Sequence, residues 1–193
     1  MKQVRIHGRG GQGVVTAAEM LSVAAFVEGR HAQAFPSFGS ERTGAPVVAF
    51  CRIGDVAIRT HEPVMRPDVL IIQDVTLLHQ VDVFEGLRPS GYVLLNTAGG
   101  LAELGIEDLG NSLPPGHIAL VPATELAMNH IGRPVPNAAL LGGFAALTRL
   151  VSLVSVETAI RKRFPERLAE SNIAAARDAY RFVSARMEEL TSA

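Results

Sequence analysis

The residues best suited to chemistry stand near the start of the chain, where Gly8, Arg9, Gly10, Gly11, Gln12 and Gly13 follow the run QVRIH and precede VVTAAEMLSVAAFVEG. A strand that ends in a glycine-rich turn and opens directly into a helix is suited to binding. Gly8 permits the tight turn, Gly10 lets a ligand approach the backbone, and Gly13 lets the helix pack close to the strand. The unpaired N–H groups of the helix's first turn then favour an anion, typically a phosphate or pyrophosphate. A nicotinamide dinucleotide also needs a ribose-binding acid about 20 residues past such a loop. Here the second apolar run, residues 31–35, leads to Pro36 and Ser37, and the nearest acids, Glu28 and Glu41, fall before and well after its end. Three readings of the loop stay open: a phosphate-bearing ligand, a NAD site without its ribose acid, and a purely structural turn. The chain has no G-x-x-x-x-G-K-[ST] beside this loop, which leaves nucleoside triphosphate hydrolysis without support.

A second candidate is the segment SFGSERTG at residues 37–44, framed by Pro36 and Pro46. In a doubly wound sheet the loops at the carboxyl ends of the strands share one crevice, so this segment can face the glycine loop. Arg42 there suits bidentate pairing with a phosphate or carboxylate. The competing reading is a solvated turn in which Glu41 and Arg42 pair locally. The six histidines, His7, His31, His61, His79, His117 and His130, form no paired ligand spacing, so no metal is assigned. Cys51 lies inside VVAFCRI, where an inert buried thiol is expected. With no G-x-S-x-G elbow either, no residue is assigned a catalytic role.

The elements that must position these loops alternate. QVRIH predicts a strand, residues 14–29 a helix stopped by Gly29, and residues 31–35 a second strand. Residues 47–53, Gly54-Asp55 and residues 56–60 read as a β-hairpin. The apolar runs DVLIIQ and GYVLLN are typical of buried parallel strands, with a helix expected between them near residues 77–84, and IALV at 118–121 is the last strand. Three or four helices follow. Pro165 suits the first turn of the last one, whose stripe Ala176, Tyr180, Val183, Met187 and Leu190 marks core or interface packing. The fold class expected is α/β: a doubly wound, mostly parallel, Rossmann-like sheet with a β-hairpin insertion and a helical C-terminal segment, in one domain over residues 1–193.

Composition narrows the function from the other side. Eighteen Lys+Arg against 19 Asp+Glu give a formal net charge of −1, which offers no footprint for nucleic acid. One cysteine excludes a disulfide framework and an iron–sulfur cluster held by this chain alone. MKQVRIHGRG is too polar for a secretory signal, and the longest uncharged stretch, residues 134–148, is shorter than the roughly 18 apolar residues a membrane span needs. A cytoplasmic location is expected. Charged residues make up 19%, below the average of about 25%, and the mean hydropathy is +0.23. Two explanations fit: a large Ala- and Val-rich core, or a surface covered by other chains.

Taken together, VRIHGRGGQGVVTAAEML, AFPSFGSERTGAPVVAFCRI, PNAALLGGFAAL and SNIAAARDAY resemble the gamma subunit of the 2-oxoacid:ferredoxin oxidoreductase family, the pyruvate and ketoisovalerate oxidoreductases. The resemblance covers nearly the whole chain, and the linked GRGGQG and SFGSERTGAP segments are far more specific than a lone glycine loop. It implies a complex that cleaves a 2-oxoacid with thiamine diphosphate and magnesium and transfers the acyl group to coenzyme A. Two electrons would leave through [4Fe-4S] clusters to ferredoxin or a flavoprotein. Alpha and beta subunits would hold the thiamine, and a cysteine-rich, ferredoxin-like delta subunit the clusters. This chain has no G-D-G motif with a following asparagine pair for thiamine diphosphate, and the isolated chain is expected to be inactive.

By motif, the resemblance assigns a shared coenzyme A site to Gly8, Arg9, Gly10, Gly11, Gln12 and Gly13 on one side and to Glu41, Arg42, Thr43 and Gly44 on the other. Fused family members carry lysines in both segments, where this chain has only Arg9 and Arg42. The related indolepyruvate oxidoreductase small subunit has a similar glycine loop but a different second motif. The rival expectations are a free-standing NAD(P)-dependent Rossmann-type oxidoreductase and a purely structural assembly subunit.

Overall fold

The structure, a computed structural model, describes residues 1–37 and 43–192. Six strands form one sheet in the order β2-β3-β1-β4-β5-β6, with β1 at Lys2–Arg9, β2 at His31–Pro36, β3 at Pro46–Gly54, β4 at Val69–Ile72, β5 at Tyr92–Asn96 and β6 at Ile118–Val121. β1, β4, β5 and β6 run parallel to one another, while β3 lies antiparallel between β1 and β2. Three of the parallel strands, β4, β5 and β6, are the short apolar runs of the sequence.

Alternation along the strands divides the interior into two cores. Val4, Ile6, Ala49, Cys51, Val69, Ile71 and Leu94 face one side, against α1 (Val14–Val27), α4 (Asn137–Thr148), α5 (Leu153–Arg163) and α6 (Glu166–Ser192). Leu70, Ile72, Val93 and Leu95 face the other, against a 3-10 turn at Val75–His79 and the loops around it. Two further helices among the described residues are the short α2 at Glu107–Ser112 and α3 at Ala123–Ile131. α4 is apolar all round and buried along almost its whole length, as a helix enclosed on every side must be. At Gly142 it comes so close to α6 that an added β-carbon would strike the Ala176 carbonyl.

Three sequence expectations change. No hairpin forms across Gly54-Asp55, because residues 57–60 make no strand. β3 instead pairs Val4↔Cys51 with β1 and Ala34↔Cys51 with β2, so its long apolar run is satisfied by distant partners on both edges. The helix expected at residues 77–84 shrinks to the 3-10 turn, whose first residues are fixed when the Asp74 carboxylate accepts the Thr76 N–H. α2 had no counterpart in the sequence reading.

The connections place a crevice. β1 leads through α1 to β2 on one side of the sheet, whereas β4 leads through the 3-10 turn to β5 on the other. The order therefore switches between β1 and β4. In open α/β sheets ligands bind at the carboxyl ends of the strands at such a point, and it is here that the glycine loop emerges.

Candidate functional site at the glycine loop

The loop is built from the end of β1 and the start of α1. Gly8 and Arg9 still belong to β1, paired with Val47 and Pro46. A β-carbon on Gly8 would stand 2.6 Å from the Val14 Cγ2 atom, so α1 packs against the strand where only a glycine fits. Gly13 adopts a left-handed conformation (φ 73°) as the N-cap of α1. That cap supplies no side-chain hydrogen bond, and no acid stands in the first turn. The N–H groups of Val14, Val15 and Thr16 have no partner inside the helix. They lie beside a cleft of about 320 Å³ lined by Arg9, Gly10, Gly11, Gly13, Thr16 and Val47 among others. A second cleft, of about 230 Å³, adjoins it across Gly11, Gly13 and Thr16 and is bounded by Arg133, Asn137 and Arg163.

The structure brings the described part of the second segment onto the loop. Gly10 donates its N–H to the Ala45 carbonyl (2.9 Å) and accepts from the Gly44 N–H (3.1 Å), and Thr43 pairs with Gly10 as an isolated parallel bridge. Glu41 and Arg42 lie outside the described residues. Of the candidate residues that are described, all eight therefore meet in one place.

Arg9 is held by its own protein. Its Nε and one terminal nitrogen donate to the Thr76 hydroxyl (3.1 and 2.7 Å), the other terminal nitrogen donates to the Gly44 carbonyl (3.0 Å), and Nε stands 3.3 Å from an Asp74 oxygen. Gln12 closes the ring. Its side-chain oxygen accepts the Arg9 N–H at 2.8 Å while its Nε2 donates to Asp74 at 2.8 Å. Asp74 in turn accepts the Thr76 N–H and hydroxyl at 3.0 and 2.6 Å. Burial pushes the Asp74 carboxyl up, but the Thr76 and Gln12 hydrogen bonds and the nearby Arg9 charge outweigh it and hold the group below the usual carboxylate range.

Sequence reasoning did not single out Asp74 or Thr76. The available signal was an acid directly after the fully buried run VLIIQ, at the carboxyl end of a parallel strand. Two further buried polar groups flank the loop: the His7 ring nitrogens and the Gln73 amide atoms have no hydrogen-bond partner among the described residues. Burial and the neighbouring Arg5 push the His7 imidazole down to about 4.

The donor set for a metal or cluster is poor. Cys51 is fully buried in β3, its thiol pushed up to about 12 by burial. Among the described residues no group of three or more His, Cys, Asp or Glu side chains is placed to hold a metal ion. No helix among them is long and apolar enough to cross a membrane.

This architecture recurs in proteins of known family. A model of the family described as Pyruvate ferredoxin/flavodoxin oxidoreductase matches residues 3–182. The chain is 48% identical over 180 residues to the Pyruvate/ketoisovalerate oxidoreductases common subunit gamma of Pyrococcus abyssi, covering 93% of this chain and 96% of the relative. It is 46% identical over 180 residues to Pyruvate synthase subunit PorC of Methanothermobacter marburgensis, with the same coverage. The crystal structure of pyruvate oxidoreductase subunit PORC from Thermotoga maritima superposes with a TM-score of 0.78 at 38% identity, over 93% of this chain and 95% of that one.

Proposed function

This chain belongs to the pyruvate ferredoxin/flavodoxin oxidoreductase family as a gamma-type subunit, and on that premise we propose that it binds and positions coenzyme A in a cytoplasmic, multi-subunit 2-oxoacid oxidoreductase. The reaction is oxidative decarboxylation: a 2-oxoacid and coenzyme A give an acyl-coenzyme A, carbon dioxide, a proton and two electrons. Thiamine diphosphate, held with magnesium by alpha and beta partner subunits, supplies the carbon chemistry. The electrons leave through [4Fe-4S] clusters of a cysteine-rich delta subunit to ferredoxin or a flavoprotein. This chain, acting as one gamma-type unit over residues 1–193, contributes the glycine loop and the segment packed on it.

The observation that carries this reading is the uncapped N-terminus of α1 opening on a cleft at the switch point of the sheet. Coenzyme A has phosphates at one end and a thiol at the other. The N–H groups of Val14, Val15 and Thr16 suit a phosphate, and Gly10 and Gly11 put no side chain in its way. Holding that end fixes where the thiol arrives, so the rate gain comes from orientation rather than from bond-making by this chain. One cysteine is too few for a [4Fe-4S] cluster held by this chain alone, which supports giving the clusters to a partner.

Purification of the native complex through a tag on this chain tests the assembly. Large thiamine-binding chains and a cysteine-rich small chain are expected alongside it. Recovery of this chain alone, in a form that binds NADH, would contradict the reading and favour a free-standing dehydrogenase.

A further inference from the structure

The hydrogen bonds around Arg9 point to a role other than gripping ligand. Three of its contacts are spent on protein groups, two on the Thr76 hydroxyl and one on the Gly44 carbonyl, with Asp74 beside it as counter-ion. The Arg9 and Asp74 side chains are only 20% and 16% exposed, so the pair is largely shielded from solvent. The Gly44 carbonyl belongs to the strip Thr43–Gly44–Ala45 that lies along Gly10. Among the described residues, the strip's other bonds to the loop are the two backbone bonds to Gly10.

We propose that Asp74 is a positioning residue for coenzyme A, acting through Arg9 and Gln12 to fix the segment at Thr43–Gly44 across the glycine loop. The inference rests on the coenzyme A reading above and adds residues at the end of β4 that neither the sequence motifs nor the comparisons assign. Asp74 reaches the site by three routes. It orients Arg9 by charge, orients Thr76 as the acceptor for Arg9, and holds Gln12, whose oxygen fixes the Arg9 backbone. Charge-assisted bonds of this kind set geometry more firmly than neutral ones. A small displacement of the segment then changes how well phosphates are held without touching the 2-oxoacid chemistry in the partner subunits.

The test uses the assembled complex. Asp74→Ala and Arg9→Ala are each expected to raise the KM for coenzyme A about tenfold, with kcat at saturating coenzyme A within about twofold, and with 2-oxoacid decarboxylation measured without coenzyme A unchanged. The double variant should do no worse than the poorer single one, because both remove one device. Asp74→Asn, which keeps one acceptor oxygen for Thr76 but loses the charge and the oxygen that accepts from Gln12, should fall between wild type and Asp74→Ala; Thr76→Val supplies a near-isosteric check if an Asp74 variant fails to assemble. Thr16→Glu, which places a negative charge at the cleft, is the control for the reading itself. A raised KM in Thr16→Glu with normal KM in assembled Asp74→Asn or Thr76→Val overturns the positioning role and leaves the coenzyme A site standing. Additive effects of Asp74→Ala and Arg9→Ala overturn it too. An unchanged KM in Thr16→Glu and in all the others overturns the coenzyme A reading and the inference together.

Discussion

Gly13 and Asn137 are so close that a β-carbon on the glycine would lie 2.5 Å from the Asn137 side-chain nitrogen. Asn137 is 2% exposed, at the first turn of α4, and its amide nitrogen donates to the Gly13 carbonyl at 3.4 Å. The glycine loop is thus pinned from behind by the helix that fills the core, which ties the shape of the site to packing far along the chain.

Substitutions at two glycines of one loop should separate strain from collision. Gly11 (φ 91°) has open space around it, so Gly11→Ala carries only the left-handed backbone cost, about 1–2 kcal/mol. Gly13→Ala (φ 73°) adds the overlap with Asn137 and should cost roughly 2–5 kcal/mol. Denaturant titration of the two variants checks the order, and equal losses would show that Asn137 yields.

The same substitution one residue apart in α4 should change sign. Gly142→Ala meets the Ala176 carbonyl of α6 and should destabilise by about 3 kcal/mol or lose the fold. Gly143→Ala places its β-carbon 3.4 Å from Leu94 and Val183, an ordinary contact, and gains helix propensity of up to about 1 kcal/mol. Thermal unfolding distinguishes them.

His7 should make stability pH-dependent. Its folded pKa lies at about 4 against an ordinary 6.5, so between those values the unfolded chain binds a proton that the folded chain does not. Stability is full above pH 6.5, falls as pH drops, and levels off below about 4, for a loss of roughly 3 kcal/mol. Between pH 6.5 and 4.5, above the usual carboxylate range, His7→Leu should flatten the slope of unfolding free energy with pH. An unaltered slope would place the dependence elsewhere.

Cys51 should be silent. With no exposure and a thiol pushed up to about 12, it should resist an alkylating reagent at pH 8 in the folded chain and react once denaturant unfolds it. Mass spectrometry before and after denaturation reads this directly.

The parts of this protein written in local sequence were legible. The turn GRGGQG announced itself through its glycines, and VLII, YVLLN and IALV through unbroken apolar runs, because a strand covered on both faces needs nothing else. The candidate site was legible as two motifs, and the sheet brings the described end of the second, Thr43 to Ala45, onto the first. What failed was what depends on distant partners. Gly54-Asp55 has the chemistry of a hairpin turn, but β3 finds both neighbours, β1 and β2, upstream in the chain, and the run after Asp55 is left unpaired. Asp74 and Thr76 gave no motif because their importance comes from the β1–β4 register, which brings His7 beside Ile72 and so the end of β4 beneath Arg9. Arg9 entered the candidate site by resemblance alone: its sequence neighbours show a cation near a glycine loop, not the carboxylate 65 residues away.

The central claim, that the start of α1 receives coenzyme A, is tested most directly by hydrogen–deuterium exchange on the assembled complex with and without coenzyme A. The amides of Val14, Val15 and Thr16 have no partner in the helix and should exchange fast in the free complex. The account predicts that coenzyme A slows exchange across residues 10–16 and leaves α5 unaffected. Unchanged exchange over residues 10–16, at coenzyme A concentrations that saturate turnover, would contradict it.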